Sequence, residues 1–281
     1  MTSTPNVSDE RGAPASPCPG RSGSELRVMA AMIHPRYAWL RQLIAFGILL
    51  MLWEAAARAG MLNPLFVPSP TAIGGALYEL FADGRIWPHL EATFTAALAG
   101  LAIGIVVGIA LGVLGALVPP IAELLEPVMT LLNAIPRVIL APLFVIWLGI
   151  GIASKVALSF ILVAVLIFFT VFTGIRQVDR RLVERIVTLG GSRLALVRYV
   201  YLPSVAVWVL GNMKVAVGFA FTGAVVGEFV AATSGLGYLL SFAQSTFNSA
   251  LMLALVLLIM VVVLLIFALA GWLERYLMRW S

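Results

Sequence analysis

The sequence predicts an all-α protein that crosses a membrane about six times and carries one large helical loop. Three observations lead there. Of its 281 residues 62% are hydrophobic and only 11% charged, a composition outside that of soluble domains. Apolar runs of about twenty residues recur along the chain, long enough to span a bilayer. The charge is gathered between them: residues 176–203 hold six arginines and two acids. So much positive charge between two spans belongs on the cytoplasmic side.

Residues 1–36 are rich in Ser, Pro, Gly and charge and read as a disordered cytoplasmic tail. The remainder, 37–281, reads as the membrane domain. Cys18 is the single cysteine and has no partner for an intrachain disulfide. The first span is expected from Trp39 to Ala57, with Arg36 and Arg41 at its entrance and Trp39 and Trp53 at belt positions. Prolines 64, 68 and 70 then impose an extended segment. Ser69 followed by Pro70 starts a short helix with Ile73, Leu77, Leu80 and Phe81 on one face, expected to lie at the outer membrane surface.

The second span, Ala92 to Leu117, carries Gly100, Gly104, Gly108 and Gly112 at steps of four, a ridge for close helix packing. A connection from Pro119 to Pro127 leads to a third span that Pro136 and Pro142 are expected to interrupt, with Asn133 and Arg137 nearby. Lys155 opens the fourth span, which runs to Gly174. The fifth lies between Pro203 and Val230 and contains Lys214 and Glu228; the sixth covers Leu251 to Trp272, with Arg275 and Arg279 beyond it. Six spans put both termini on one side. The arginines of the tail, the 176–203 loop and the C-terminus make that side cytoplasmic, leaving Arg58, Arg85 and Lys155 on the outer side.

The 176–203 loop has its own grammar. Asp179 can cap a helix through Leu189, Gly190-Gly191 can end it, and Ser192 can cap a second one. Apolar positions 182, 183 and 186, then 194, 197 and 201, give both helices a stripe. The predicted object is a rigid elbow.

Catalysis finds no foothold. Neither lysine follows a glycine, so no phosphate-cradling loop exists. His34 and His89 are too few and too far apart for a metal site, and no nucleophile–base set is present. The chain is expected to be no enzyme, to hold no cofactor and to bind no nucleic acid; lipid is its surroundings. Arg137, Lys214 and Glu228 are ionisable groups within spans, where an unpaired charge is costly. They fit a pathway for an anionic solute, together with Asn133. Equally, Lys214 and Glu228 could be paired or snorkelling groups. Fourteen residues apart on one helix, they share a face but cannot touch, so each needs a partner elsewhere.

The loop also resembles a known family. Glu184, Gly190, Leu202 and Pro203 fall on the EAA-loop pattern of membrane subunits of ATP-binding-cassette importers, with Val200 at its usual isoleucine position and Arg185-Ile186 where two alanines are usual. Pro68-Ser69-Pro70, Asn133 to Arg137, Trp147 to Gly151 and Ser234 to Leu239 look like the nitrate, sulfonate and taurine permeases of that group. The resemblance implies a bacterial inner-membrane permease, a homodimer working with a cytoplasmic ATPase that binds the ATP and with an extracytoplasmic solute-binding protein. It implies that Glu184, Gly190, Gly191, Ser192 and Arg193, rooted at Leu202 and Pro203, couple to that ATPase. Transport would be inward, by alternating access, of a small anion such as a sulfonate or nitrate. The rival reading is a self-sufficient secondary transporter or channel, which needs acidic coupling-ion groups within spans, and only Glu228 offers one.

Overall fold

The computed structural model describes residues 38–277. The tail expected at 1–36, with Cys18 and His34, and Arg279 lie outside the described residues. The described residues are helical, with no strand among them, and the chain divides into two compact units, residues 1–55 and 56–281. The described part of the first, 38–55, is all but the last turn of one helix, α1 (Ala38–Arg58), whose stretch Trp39–Arg58 is long and apolar enough to cross a membrane.

The first helix wholly within the second unit is α2 (Pro70–Ala82). Ser69 Oγ accepts the Ala72 N–H at 3.2 Å, Pro70 occupies the first turn, and Ile73 and Leu80 are buried. Next come α3 (Ile86–Leu117) and, further on, α6 (Ile152–Arg176). α3 starts earlier than the expected Ala92, because Pro88 stands in a first turn where its missing N–H leaves no hydrogen bond unmade.

The glycine ridge of α3 lies directly on α6. A Cβ at Gly104 would sit 2.6 Å from Val163 Cβ; at Gly108, 2.8 Å from Ile167 Cβ; at Gly112, 2.8 Å from Val171 Cβ; and Gly100 faces Ser159. Each glycine meets the residue 59 positions later, so α3 and α6 run parallel. The chain between two parallel neighbours must recross the layer. It does so as a broken span, α4 (Pro119–Ala134) and α5 (Arg137–Leu148), which meet at 107°.

Two expectations need correction there. The stretch from Pro119 to Pro127 is no connection but the first part of α4, since prolines are tolerated in an opening turn. Pro142 lies inside α5 without ending it, so the break belongs to Pro136 alone. The residue before it, Ile135, is extended (φ −67°, ψ 129°) as a following proline demands. Gly149, at φ +81°, ends α5.

After an elbow built from α7 (Arg180–Thr188), α8 (Arg193–Leu196) and a π-helical turn (Val197–Tyr201), the chain returns as α9 (Leu202–Gly211) and α10 (Met213–Val230). The stretches Leu194–Gly211 and Met213–Val230 are each long and apolar enough to count as separate spans, yet the packing of α9 and α10 makes them one. The Trp208 ring covers Gly174, Gly223 lies 2.7 Å from Ser159 Cα, and Gly227 lies 3.3 Å from Lys155 Cα, each distance measured from an added Cβ. The contact register therefore advances along α9–α10 as it retreats along α6. This is one antiparallel crossing with a local break at Asn212, whose Nδ2 donates to Trp208 O at 3.0 Å.

A short helix not anticipated, α11 (Leu236–Ser245), turns the chain into α12 (Ser249–Leu277). Ser249 Oγ donates to Leu65 O, tying the start of α12 to the segment before α2. The crossings are thus α1, α3, α4–α5, α6, α9–α10 and α12, with exposed apolar side chains such as Leu98, Val106, Leu264 and Leu265 facing lipid.

The ridge makes a direct prediction. Gly104→Leu overfills the α3–α6 contact and should destabilise the fold by about 1–3 kcal/mol, while Gly75→Leu, where nothing lies within 4 Å of the added carbon, should be neutral. Equal melting temperatures of the two variants in detergent would contradict this packing.

Candidate functional site

The elbow is assembled from local backbone rules. The Asp179 carboxylate accepts the Arg181 N–H at 2.9 Å and caps α7. At the other end Gly190 N–H donates to Val187 O at 3.0 Å and Gly191 N–H to Ile186 O at 2.8 Å, the two bonds of a Schellman turn. Gly190 takes the left-handed conformation that turn requires (φ +74°). Its added Cβ would meet open space, whereas one on Gly191 would run into the Ile186 side chain and lie 2.8 Å from Ile186 O. So Gly190 is needed for its dihedral and Gly191 for its lack of bulk. Ser192 Oγ accepts the Ala195 N–H at 3.3 Å and caps α8. Leu202 and Pro203 open α9 through its first turn.

The predicted stripes divide. Val183, Ile186 and Tyr201 are half-buried, but Leu182 and Leu194 are exposed, as are Val187 and Leu189 (86%). The elbow therefore keeps an apolar outer face that nothing in this chain covers among the described residues. Behind it a cleft of about 350 Å³ is lined by Ile175, Arg176, Arg180, Val183, Glu184 and Tyr201. Arg176 stacks over the Phe172 ring at 4.1 Å and lies 3.8 Å from Glu126 of α4, anchoring the elbow's root. The Arg193 side chain lies outside the described residues.

The residues proposed for a solute path are not gathered. Asn133 sits just before the α4–α5 break and Arg137 just after it; the Arg137 side chain lies outside the described residues. Lys214 Nζ lies 3.0 Å from Glu274 Oε2 of α12 and is half exposed, so its partner is on another helix and is not Glu228.

Glu228 belongs to a different constellation, at the opposite end of α10. It is 1% exposed. Its Oε2 accepts the Gly237 N–H at 3.0 Å, Thr93 Oγ1 lies 3.0 and 2.8 Å from its two oxygens, and Lys155 Nζ is 3.9 Å away. Lys155, counted with the outer-side charges in the sequence, is itself buried: the α6 backbone lies so close to Gly227 that its side chain runs inward, where Nζ donates to Ser234 O at 2.6 Å.

The reason for this polar cluster is the start of α11. Its cap position is Gly235, which has no side chain to satisfy the first N–H groups. Three other side chains do so instead. His89 Nδ1 accepts from Gly235 N–H at 3.0 Å, Thr93 Oγ1 from Leu236 N–H at 2.9 Å, and Glu228 from Gly237 N–H. A Cβ at Gly235 would collide with the Glu228 carboxylate, and one at Gly237 would lie 2.7 Å from Glu228 Cβ. Four helices are thereby tied at one end of the bundle. Sequence reasoning singled out Glu228 but missed His89, Thr93 and Lys155. The signals were a His and a Thr four apart on one helical face, and glycines flanking Leu236.

A buried charge stripped of its partner is the costly case. Glu228→Ala leaves Lys155 unpaired and should destabilise the protein by about 3–5 kcal/mol, with Glu228→Gln/Lys155→Met recovering much of it. Thermal unfolding of the purified chain would show this, and a double variant no more stable than Glu228→Ala would contradict it.

Residues 104–279 match the family described as binding-protein-dependent transport system inner membrane component. The chain is 33% identical to the riboflavin transport system permease protein of Chloroflexus aurantiacus, over 88% of this chain and 92% of that one. It is 31% identical to the formylaminopyrimidine transport permease protein of Halalkalibacterium halodurans, over 87% and 97%. To the taurine transport system permease protein of Escherichia coli it is 28% identical, over 74% and 78%. Its fold is similar to a chain of an amino acid ABC transporter (TM-score 0.60, 15% identity, 73% of this chain and 98% of that one). A chain of the MetNI methionine ABC transporter in inward-facing form is also similar (TM-score 0.56, 21% identity, 69% and 94%). The chain therefore belongs to the binding-protein-dependent inner membrane component family: it is the permease subunit of an ATP-binding-cassette importer, not itself an enzyme, and its partners are an ATPase and a binding protein.

Proposed function

We propose that this chain, as one half of a homodimer, moves a small solute inward by alternating access, with the 176–203 elbow as the surface on which a separate ATPase acts. The observation that carries this is the elbow itself: two capped helices, a Schellman turn at Gly190-Gly191 and an uncovered apolar face at Leu182, Val187, Leu189 and Leu194. Rigid, exposed and apolar is what a docking face requires. In this reading Glu184, Gly190, Gly191, Ser192 and Arg193 form the contact, and Leu202 and Pro203 pass its movement into α9–α10, which is packed against α6 along its length.

Both termini of the 37–281 permease domain are read as lying on the elbow's side, as an even number of crossings would require, and the arginine distribution supports calling that side, and the tail 1–36, cytoplasmic. The solute is a small anion such as a sulfonate or nitrate, or a polar organic molecule; relatives named for taurine, riboflavin and formylaminopyrimidine support the broader class. Asn133 and Arg137 flank a broken span, the kind of place where transporters expose polar groups to a solute. Lys214, beside Glu274, and Glu228, in the α11 cluster, are read as members of the same pathway.

Gly190→Val places a branched side chain at φ +74°, a strain of about 1 kcal/mol or more. Together with Glu184→Ala it should leave the chain in the membrane and abolish uptake, with the ATPase lost from the complex or hydrolysing ATP without response to binding protein and solute. Normal uptake with normally stimulated hydrolysis in both variants would place the coupling surface elsewhere. For orientation, a reporter fused after Arg193 should read as cytoplasmic and one near Asp83 as external; the reverse would overturn the assignment of sides.

A further inference from the structure

We infer that His89 is a proton-sensitive latch on the start of α11, so that acidification of the face where α11 lies releases this helix from α3. His89 Nδ1 accepts from Gly235 N–H at 3.0 Å, and an imidazole nitrogen accepts only while it carries no proton. Once protonated, the ring presents an N–H to an N–H. The bond is lost, and the amide at the cap of α11 is left without its acceptor.

No neighbour can replace it. The cap residue is Gly235, which has no side chain, and Thr93 Oγ1 already accepts from Leu236 N–H at 2.9 Å. Glu228 Oε2 already accepts from Gly237 N–H at 3.0 Å. The other groups facing His89 do not favour a second positive charge in the same place without rearrangement. From α6 comes the Lys155 ammonium, bonded to Ser234 O, the residue before Gly235. From α10 comes Glu228, already 3.9 Å from Lys155 Nζ. From α11 comes the Tyr238 ring, stacked on the imidazole with centroids 5.7 Å apart and planes at 13°. On α3 itself the nearby charges are Glu91 and, before the helix, Arg85, which is held by Asp83 at 3.0 Å.

The latch has something to release. α11 is the turn between α10 and α12, and its first residue, Leu236, is fully buried in the cluster that also holds Ile86, Phe221 and Leu255. Loosening its first turn frees the link between two membrane crossings at one end while leaving the α3–α6–α10 glycine contacts intact. The proposal stands on this geometry and is independent of which solute is carried or which side α11 faces.

The test uses the full chain in lipid nanodiscs, with amide hydrogen exchange of segment 233–241 measured at pH about 7.5 and about 4.5, a range that extends well below ordinary imidazole titration. After correction for the intrinsic pH dependence of exchange, protection in the wild type should fall on the order of ten-fold at the acid pH. In His89→Asn it should not change, because the amide oxygen of Asn can take the place of Nδ1 and accepts at both pH values. An equal fall in both proteins, or none in the wild type, overturns the proposal. Should His89→Asn not fold, the wild type still decides: the midpoint of the exchange transition must coincide with the titration of the His89 ring followed by nitrogen NMR. A midpoint elsewhere overturns it.

Discussion

The contact on which the second unit depends is the close approach of two glycine-lined helices to α6, meeting at Ser159. Gly100, Gly104, Gly108 and Gly112 of α3 bring it close against α6, and Gly223 and Gly227 of α10 do the same. In a membrane, apolar burial between helices gains little, because lipid tails are as apolar as leucine. Close packing and polar bonds must supply the cohesion. Leu158, Val163, Ile167, Phe168 and Val171 of α6 are accordingly without exposure, while α3 and α12 keep large apolar side chains on their lipid side. Ser159 Oγ adds a bond of 2.8 Å to Ala220 O across the same seam.

The rest follows from that seam. Because α3 and α6 are parallel, the chain between them has to cross, and the break at Pro136 lets it do so at a sharp angle. Because α9–α10 is antiparallel to α6 throughout, the elbow between them is a hairpin whose two arms are packed together to their ends. The elbow joins α9–α10 at Leu202 and Pro203, in the first turn of α9. At the far end the same helices are fastened by the Glu228–Lys155–Thr93–His89 cluster around the start of α11. The permease is held at one end by hydrogen bonds in its interior and left at the other with an uncovered face.

Much of this was legible in the residues, and the boundary of legibility has physical causes. Local signals read correctly. Asp179, Gly190 and Ser192 sit where capping chemistry puts them, Ser69-Pro70 opens α2, and the step of four in the α3 glycines named a packing face. What it could not name was the partner of that face, since register between distant helices is a tertiary fact. Proline misled twice: Pro119 to Pro127 was expected to be a connection and Pro142 to interrupt a span, but proline is harmless in a first turn and tolerated in a membrane helix whose freed carbonyls find other partners. Lys155 looked like a loop charge because it stands one turn into a span, and only the closeness of Gly227 sends it inward. The roles of His89 and Thr93 were hidden because the N–H groups they satisfy belong to a helix more than a hundred residues later.

The central claim is that the uncovered elbow face is where the ATPase sits. Its most direct test is site-specific thiol labelling in the assembled importer, with Cys18→Ser as background and single cysteines at Leu189 and Tyr78, both exposed in the free chain. The account predicts that binding of the ATPase protects Leu189→Cys from a membrane-impermeant maleimide added to the detergent-solubilised complex and leaves Tyr78→Cys reactive. Unchanged labelling at Leu189→Cys with the ATPase bound would contradict it.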